Sequence, residues 1–321
     1  MERAKKSERP YLLSLLMQMR AILTAIILLI PLVVINFLQL LSLALKPFSK
    51  AGFRNINRAF ATFYWTGLVL VVRHILRVRI KWQCDKIVEH EDAILIANHQ
   101  SAVDIIPLLA LACHAHRVGD MKFFVKDVFK YIPGIGWGMI FLDFVFLKRR
   151  WMSDRRRIKA NFERIHRENI PLWLNIFPEG TRFTALKMLD AQKTARHYKL
   201  ASCDHVLVPF AKAFETSILA LSNKVAAVYD VTIGYPAGIP TFWQLMSGDI
   251  QTIEMRVNRF PLGQLPSEAL AIEQWLQERF WQKELCLRQL QNEGQFPRPQ
   301  HADYKLEPIP RLLDVSAELC I

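Results

Sequence analysis

At 321 residues the chain is long enough for one large domain or two modest ones, and a 52% hydrophobic content permits a sizeable core. Lys and Arg outnumber Asp and Glu by 42 to 29, a formal charge of +13, so the favoured partners are polyanions or anionic surfaces. Five cysteines (Cys84, Cys113, Cys203, Cys286 and Cys320) are odd in number and lack metal-ligand spacing, which argues against a disulfide framework or a metal site. They read as small buried hydrophobes in a reducing compartment.

Between nucleic acid and lipid, the first apolar segment decides. Ala21 to Leu45 carries no charge, and its 25 residues exceed the roughly 20 that a spanning helix needs. A cleavable signal peptide is shorter in its apolar part and ends on a small-residue site. Ala59 to Val72 is a second, shorter apolar run. Basic residues flank both: Arg3, Lys5, Lys6, Arg9 and Arg20 before the first, Lys46, Lys50, Arg54 and Arg58 between them, and Arg73, Arg77, Arg79 and Lys81 after the second. A hairpin, or two helices embedded in one leaflet, leaves every basic flank on the same side and is preferred to a single crossing. Residues 1–81 are therefore expected to form a membrane anchor.

After Trp82 short apolar runs alternate with helical stretches. Strands are expected at "AILIA" (93–97), "KFFVK" (122–126), "FVFLK" (144–148), "LWLNIF" (172–177), "VLVPF" (206–210), "VAAVYDVTIGY" (225–235) and "TIEMRVNRF" (252–260). Helices are expected over 105–112 and 151–169, with "YIPGIGWG" (131–138) as a turn or tight loop. The alternation predicts an α/β fold, a mixed and mainly parallel sheet flanked by helices, over residues 82–262. Residues 263–321 would supply a helix capped by Ser267, carrying Leu270, Trp275, Leu276, Phe280 and Leu287 on its apolar face and stopped at Gly294, then an extended tail.

Two polar turns leave these strands. "NHQSAVD" (98–104) follows "AILIA", placing His99 five residues before Asp104. That spacing suits a general base with its orienting carboxylate, and equally a capped loop start. "FPEGTR" (177–182) follows "LWLNIF", with Pro178 and Gly180 bending the chain beside Glu179, Thr181 and Arg182. An arginine fork there suits a phosphate; alone, the turn reads as a surface Glu–Arg pair. Open α/β sheets place their sites at such strand ends.

Together, in this order, the two turns resemble the Asn-His-four residues-Asp and Glu-Gly-Thr-Arg signatures of the glycerophospholipid acyltransferases. "FFVKDVFKYIPGIGW", "VFLKRRW" and "VLVPF" are similar to the family's intermediate and fourth blocks, and "YDVTIGYP" onwards looks like a subgroup with long carboxyl-terminal extensions. The type reaction is acylation of 1-acyl-sn-glycerol-3-phosphate at its sn-2 hydroxyl, giving phosphatidic acid, with acyl-CoA or acyl-carrier protein as donor substrate and no cofactor. What the resemblance implies is that His99 takes the acceptor's proton, since histidines titrate near neutral pH. Asp104 orients and stabilises the ring. Arg182, Thr181 and the Gly180 amide would hold the phosphate, and Glu179 would orient a cation or the loop. Lys126 is a second phosphate ligand or a solvated strand end, and Lys148 and Arg149 have a weaker claim. Ser101 reads as a helix-start residue, and Asn98 as a side chain fixing the turn.

The basic run Arg149–Arg167 lacks a nucleic-acid motif and fits anionic headgroups. Membrane phospholipids and a lysophospholipid are thus the expected partners; in a bacterium the place would be the inner membrane, with a cytoplasmic active site. Two other readings stand beside this one: a different acceptor, such as lysophosphatidylglycerol, and a non-catalytic membrane-bound adaptor.

Overall fold

The computed structural model describes residues 11–148, 150–197 and 203–297. Seven strands form one sheet: β1 (Arg79–Cys84), β2 (Ala93–Ala97), β3 (Met121–Lys126), β4 (Val145–Leu147), β5 (Trp173–Ile176), β6 (Ala227–Gly234) and β7 (Thr252–Pro261). Their order is β1-β7-β6-β2-β5-β3-β4. All pairings are parallel except β6–β7. The expected mixed, mainly parallel sheet is what forms.

Alternation along β2 explains the layers. Ala93, Leu95 and Ala97 face one apolar core, while Ile94 and Ile96 face the other. The first core is covered by α2 (Lys50–Leu70) and α3 (Ile105–His114), the second by α5 (Trp151–Arg167), α7 (Ala211–Leu221) and α9 (Ala269–Glu293). Strands buried on both faces read as continuous apolar runs, which is why "AILIA" and "LWLNIF" are legible.

The long helix α1 (Tyr11–Ser42) leads into α2 through a short turn, and the two pack together as a hairpin. Leu13–Leu45 is the one described stretch long and apolar enough to cross a membrane. Residues such as Leu23, Ile30, Val33 and Phe37 on α1 are more than half exposed, as a lipid-facing helix requires. By contrast α2 packs Ala61 and Val69 into the first core, so the second apolar run is chiefly a contact with the sheet.

Four sequence expectations are corrected. Arg79 and Lys81, read as basic flank, lie in β1 and pair with β7. "YIPGIGWG" is only partly a turn: Gly134 has φ +80, and then α4 (Ile135–Phe141) is helical. "VLVPF" forms no strand, because β5 already has β2 and β3 on its two sides and Pro209 lacks an N–H. α9 is capped at Glu268 rather than Ser267, and Leu270 points to solvent at 68% exposure while Ile272 is buried. Gly294 does end that helix, in the left-handed conformation. Two further helices, α6 (Ala185–His197) and α8 (Phe242–Met246), follow β5 and β6. Arg149, the basic residues before position 11, the tail beyond 297 and Cys320 lie outside the described residues.

Gly119, just before β3, fixes the joint between hairpin and body. A Cβ there would sit 2.7 Å from the Arg58 carbonyl of α2 and closer still to the Thr62 hydroxyl. Gly119→Ala should therefore lower stability by about 1–3 kcal/mol, the usual effect of overpacking, and speed proteolysis between α2 and β1. Unchanged thermal unfolding would show that this joint is loose.

Candidate active site

Strands β2 and β5 are parallel neighbours at the sheet centre, so their carboxyl ends emerge side by side. "NHQSAVD" leaves one and "FPEGTR" the other. Asn98 anchors the first turn to β6: its amide nitrogen donates to the Ile233 carbonyl, and its oxygen accepts from the Ile233 N–H, both at 2.8 Å. Its side chain does fix the turn, though by reaching across the sheet. Ser101 caps the helical turn Ala102–Asp104, accepting from Val103 N and donating to the Pro240 carbonyl at 2.6 Å.

Asp104 is fully buried. One carboxylate oxygen accepts from Gln100 N (2.7 Å), Ser101 N (2.8 Å) and His99 Nδ1 (2.9 Å); the other accepts from the Tyr235 hydroxyl at 2.6 Å. A carboxylate so placed is an acceptor only, which puts the imidazole proton on Nδ1 and leaves Nε2 with a free lone pair. The His99 ring stacks on Phe177 at 4.1 Å between centroids and is 21% exposed. No described residue bonds its Nε2. The arrangement can accept one proton from a hydroxyl brought to the open edge.

Glu179 is 1% exposed. Its two oxygens accept from His99 N (2.7 Å) and Leu207 N (3.1 Å), joining three pieces of chain. Burial pushes its carboxyl up to about 8; the two N–H donors and Lys283 pull the other way, and Asp104 adds repulsion. Beyond it, Gly180 takes φ +65 and donates its N–H to the Phe177 carbonyl at 2.9 Å, so that amide is committed inside the turn. Thr181 is half-buried, and its hydroxyl accepts from Lys187 Nζ. The Arg182 side chain is exposed, with no partner for its guanidinium among the described residues. Phe183 N donates to the His99 carbonyl at 2.7 Å, zipping the two turns together.

Lys126 ends β3, one strand from β5 on the same sheet edge, and its exposed ammonium has no partner among the described residues. "VLVPF" lies against this edge as a loop, with Phe210 N donating to the Pro178 carbonyl at 2.8 Å. Thus His99, Asp104, Glu179, Gly180, Thr181 and Arg182 gather in one place, with Lys126 on its rim. Tyr235 was not foreseen. It lies just past the apolar strand β6, and nothing local in the sequence marks its hydroxyl as a partner of Asp104. Burial and the neighbouring carboxylate push its phenol well above the ordinary range, so it remains a donor. The thiols of Cys84, Cys113 and Cys203 are pushed up to about 11, 12 and 12 by burial, which disfavours any of them as a nucleophile.

Residues 79–213 match the family described as Acyltransferase, and 244–317 match the one described as Acyltransferase C-terminus. The chain is an acyltransferase. The 1-acyl-sn-glycerol-3-phosphate acyltransferase 3 of Arabidopsis thaliana is 31% identical to it over 261 residues, 79% of this chain and 69% of that protein. The 1-acyl-sn-glycerol-3-phosphate acyltransferase gamma of Homo sapiens is 31% identical over 279 residues, 83% and 72% of the two chains. A crystal structure of the 1-acyl-sn-glycerophosphate (LPA) acyltransferase from Thermotoga maritima aligns with a TM-score of 0.46 at 16% identity, over 87% of this chain and 98% of that one. The chain belongs to the 1-acyl-sn-glycerol-3-phosphate acyltransferase family.

Two outcomes follow from this geometry. Tyr235→Phe deletes one donor to a buried carboxylate, so kcat should fall roughly 10- to 100-fold with little change in KM, as for a lost charged hydrogen bond. Steady-state kinetics of the purified variant check this; a wild-type kcat would mean the bond does not matter to His99. Glu179 holds its proton to about pH 8 when folded, against an ordinary 4.5. Its linkage therefore favours the folded state fully below 4.5, and that contribution is lost as pH rises through about 8. Denaturant melts of Glu179→Gln should depend less on pH across this window than those of wild type. An equal slope for both would place the Glu179 titration elsewhere.

Proposed function

We propose that the protein moves a fatty acyl group from acyl-CoA or acyl-carrier protein to the sn-2 hydroxyl of 1-acyl-sn-glycerol-3-phosphate, giving phosphatidic acid at a membrane surface. The observation that carries this reading is the joining of the two turns: His99 is bonded to Asp104 through Nδ1 with Nε2 left open, and Phe183 N on the His99 carbonyl ties this turn to the one that carries the exposed Arg182. A base and a cation on two zipped turns suit a small molecule bearing both a hydroxyl and a phosphate.

In this mechanism the acceptor's phosphate rests on Arg182, with Thr181 and Lys187 beside it and Lys126 at the rim. Its hydroxyl donates to His99 Nε2. As the oxygen attacks the thioester carbonyl, the proton passes to Nε2, and Asp104 balances the imidazolium that forms. Collapse of the tetrahedral intermediate expels the thiolate, which takes that proton and leaves as the free thiol. The thioester is already activated, so no acyl-enzyme is required. Glu179 keeps the His99 backbone in place instead of acting as a second base. The names of the relatives quoted above support this acceptor over lysophosphatidylglycerol, and the intact His–Asp pair supports catalysis over a passive adaptor.

On the membrane side, α1 supplies a lipid-facing anchor, and the α5 side chains Arg155, Arg156 and Lys159 are exposed. Headgroup attraction of about 1 kcal/mol per basic residue would add to the anchor. A cytoplasmic-facing site remains part of this reading for a bacterial host.

Detergent-solubilised protein given a panel of lysophospholipids with each donor should acylate lysophosphatidic acid fastest. His99→Ala should lose at least about 10²- to 10⁴-fold in kcat. Arg182→Ala should raise the acceptor KM roughly 10- to 100-fold, leaving the donor KM unchanged. Undiminished transfer by the histidine variant would remove the mechanism.

A further inference from the structure

Helix α9 carries two adjacent charges that are both buried, Lys283 and Glu284. Neighbouring helical residues point about 100° apart, so the pair reaches two different places. Lys283 enters beneath the sheet centre. Its ammonium pairs with Asp230 and donates to the Val231 carbonyl at 2.6 Å and the Ile96 carbonyl at 3.5 Å. Ile96 lies three residues before His99.

Glu284 reaches the loop before α7. It accepts from His205 N at 2.8 Å and His205 Nδ1 at 2.9 Å, and Arg288 of the next turn donates to it at 3.1 Å. His205 Nε2 meets Gln291 of the same helix. Two links then lead from His205 to the site. Its carbonyl accepts from Gln100 Nε2 at 3.1 Å, and Gln100 directly follows His99. Two residues on, Leu207 N holds Glu179, which in turn holds His99 N.

We propose that the Glu284–His205 pair is a positioning device through which the carboxyl-terminal helix sets the placement of His99. The inference rests on the acyl-transfer reading above. A fully buried carboxylate is costly without donors, and here His205, whose backbone is wired to the turn that carries His99, gives it both a backbone and a side-chain N–H, beside the Asp204 N–H and Arg288. Its effect belongs in the chemical step, since its links run to Gln100 and, through Leu207 and Glu179, to the His99 backbone.

The test is steady-state kinetics of the full chain in detergent, with lysophosphatidic acid and acyl-CoA. Glu284→Gln and His205→Ala should each lower kcat roughly tenfold while both KM values stay within about twofold. His205→Asn, whose amide N–H falls near the lost Nδ1–H, should recover kcat to within about threefold of wild type. The double variant should be no slower than the worse single, because the two act as one unit. A wild-type kcat in both single variants, a change confined to KM, or an asparagine variant as slow as the alanine one would overturn the proposal. His205 is partly exposed, so its variants keep the test open should Glu284→Gln fail to fold. Loss of transfer in His99→Ala but not in Glu284→Gln would overturn the device alone; absence of transfer in wild type would overturn the acyl-transfer reading itself.

Discussion

A single buried carboxyl group, that of Glu179, ties together the three chain segments of the candidate site. Its oxygens receive the backbone N–H groups of His99 and Leu207, while its own backbone continues into the turn that carries Arg182. It adds to the direct bonds between these segments, Phe183 N to the His99 carbonyl, Phe210 N to the Pro178 carbonyl and Gln100 Nε2 to the His205 carbonyl. Burying a carboxyl this deeply is unfavourable on its own, and the protein offsets it with directed donors instead of a paired cation. His99 and the turn that carries Arg182 therefore share one small polar framework, held by backbone hydrogen bonds.

This framework sits where a parallel sheet naturally exposes it. β2, β5 and β3 all end on the same edge, so residues far apart in sequence arrive together without long connections. The sheet supplies rigidity, and Asn98 adds a cross-strand anchor to β6. Asp104 then acts at short range. Its four donors keep it an acceptor, fix the tautomer of His99, and leave one nitrogen open towards the edge. The α1–α2 hairpin contributes a second level of order, since α2 is packed into one core and carries α1 with it.

Much of this was legible in the residue order, for identifiable reasons. Strands buried on both faces appear as unbroken apolar runs, and each turn of the candidate site is contiguous, so His99–Asp104 and Glu179–Arg182 stand out locally. "VLVPF" misled because an apolar run with β-branched residues reads as a strand whether or not a sheet edge is free to receive it. β1 was hidden by its charges: on a sheet edge Arg79 and Lys81 can point to water, and the same residues look like a membrane flank. Tyr235, His205 and Glu284 were invisible for another reason. Their partners lie 131, 105 and 79 positions away, and no spacing rule connects them.

The most direct measurement is a crystal structure of the protein with lysophosphatidic acid bound. A hydroxyl oxygen of the glycerol should lie within hydrogen-bond reach of His99 Nε2 while the phosphate of that same molecule contacts Arg182. A lipid whose phosphate sits on other cations, with its glycerol oxygens turned away from the imidazole, would contradict the account at its root.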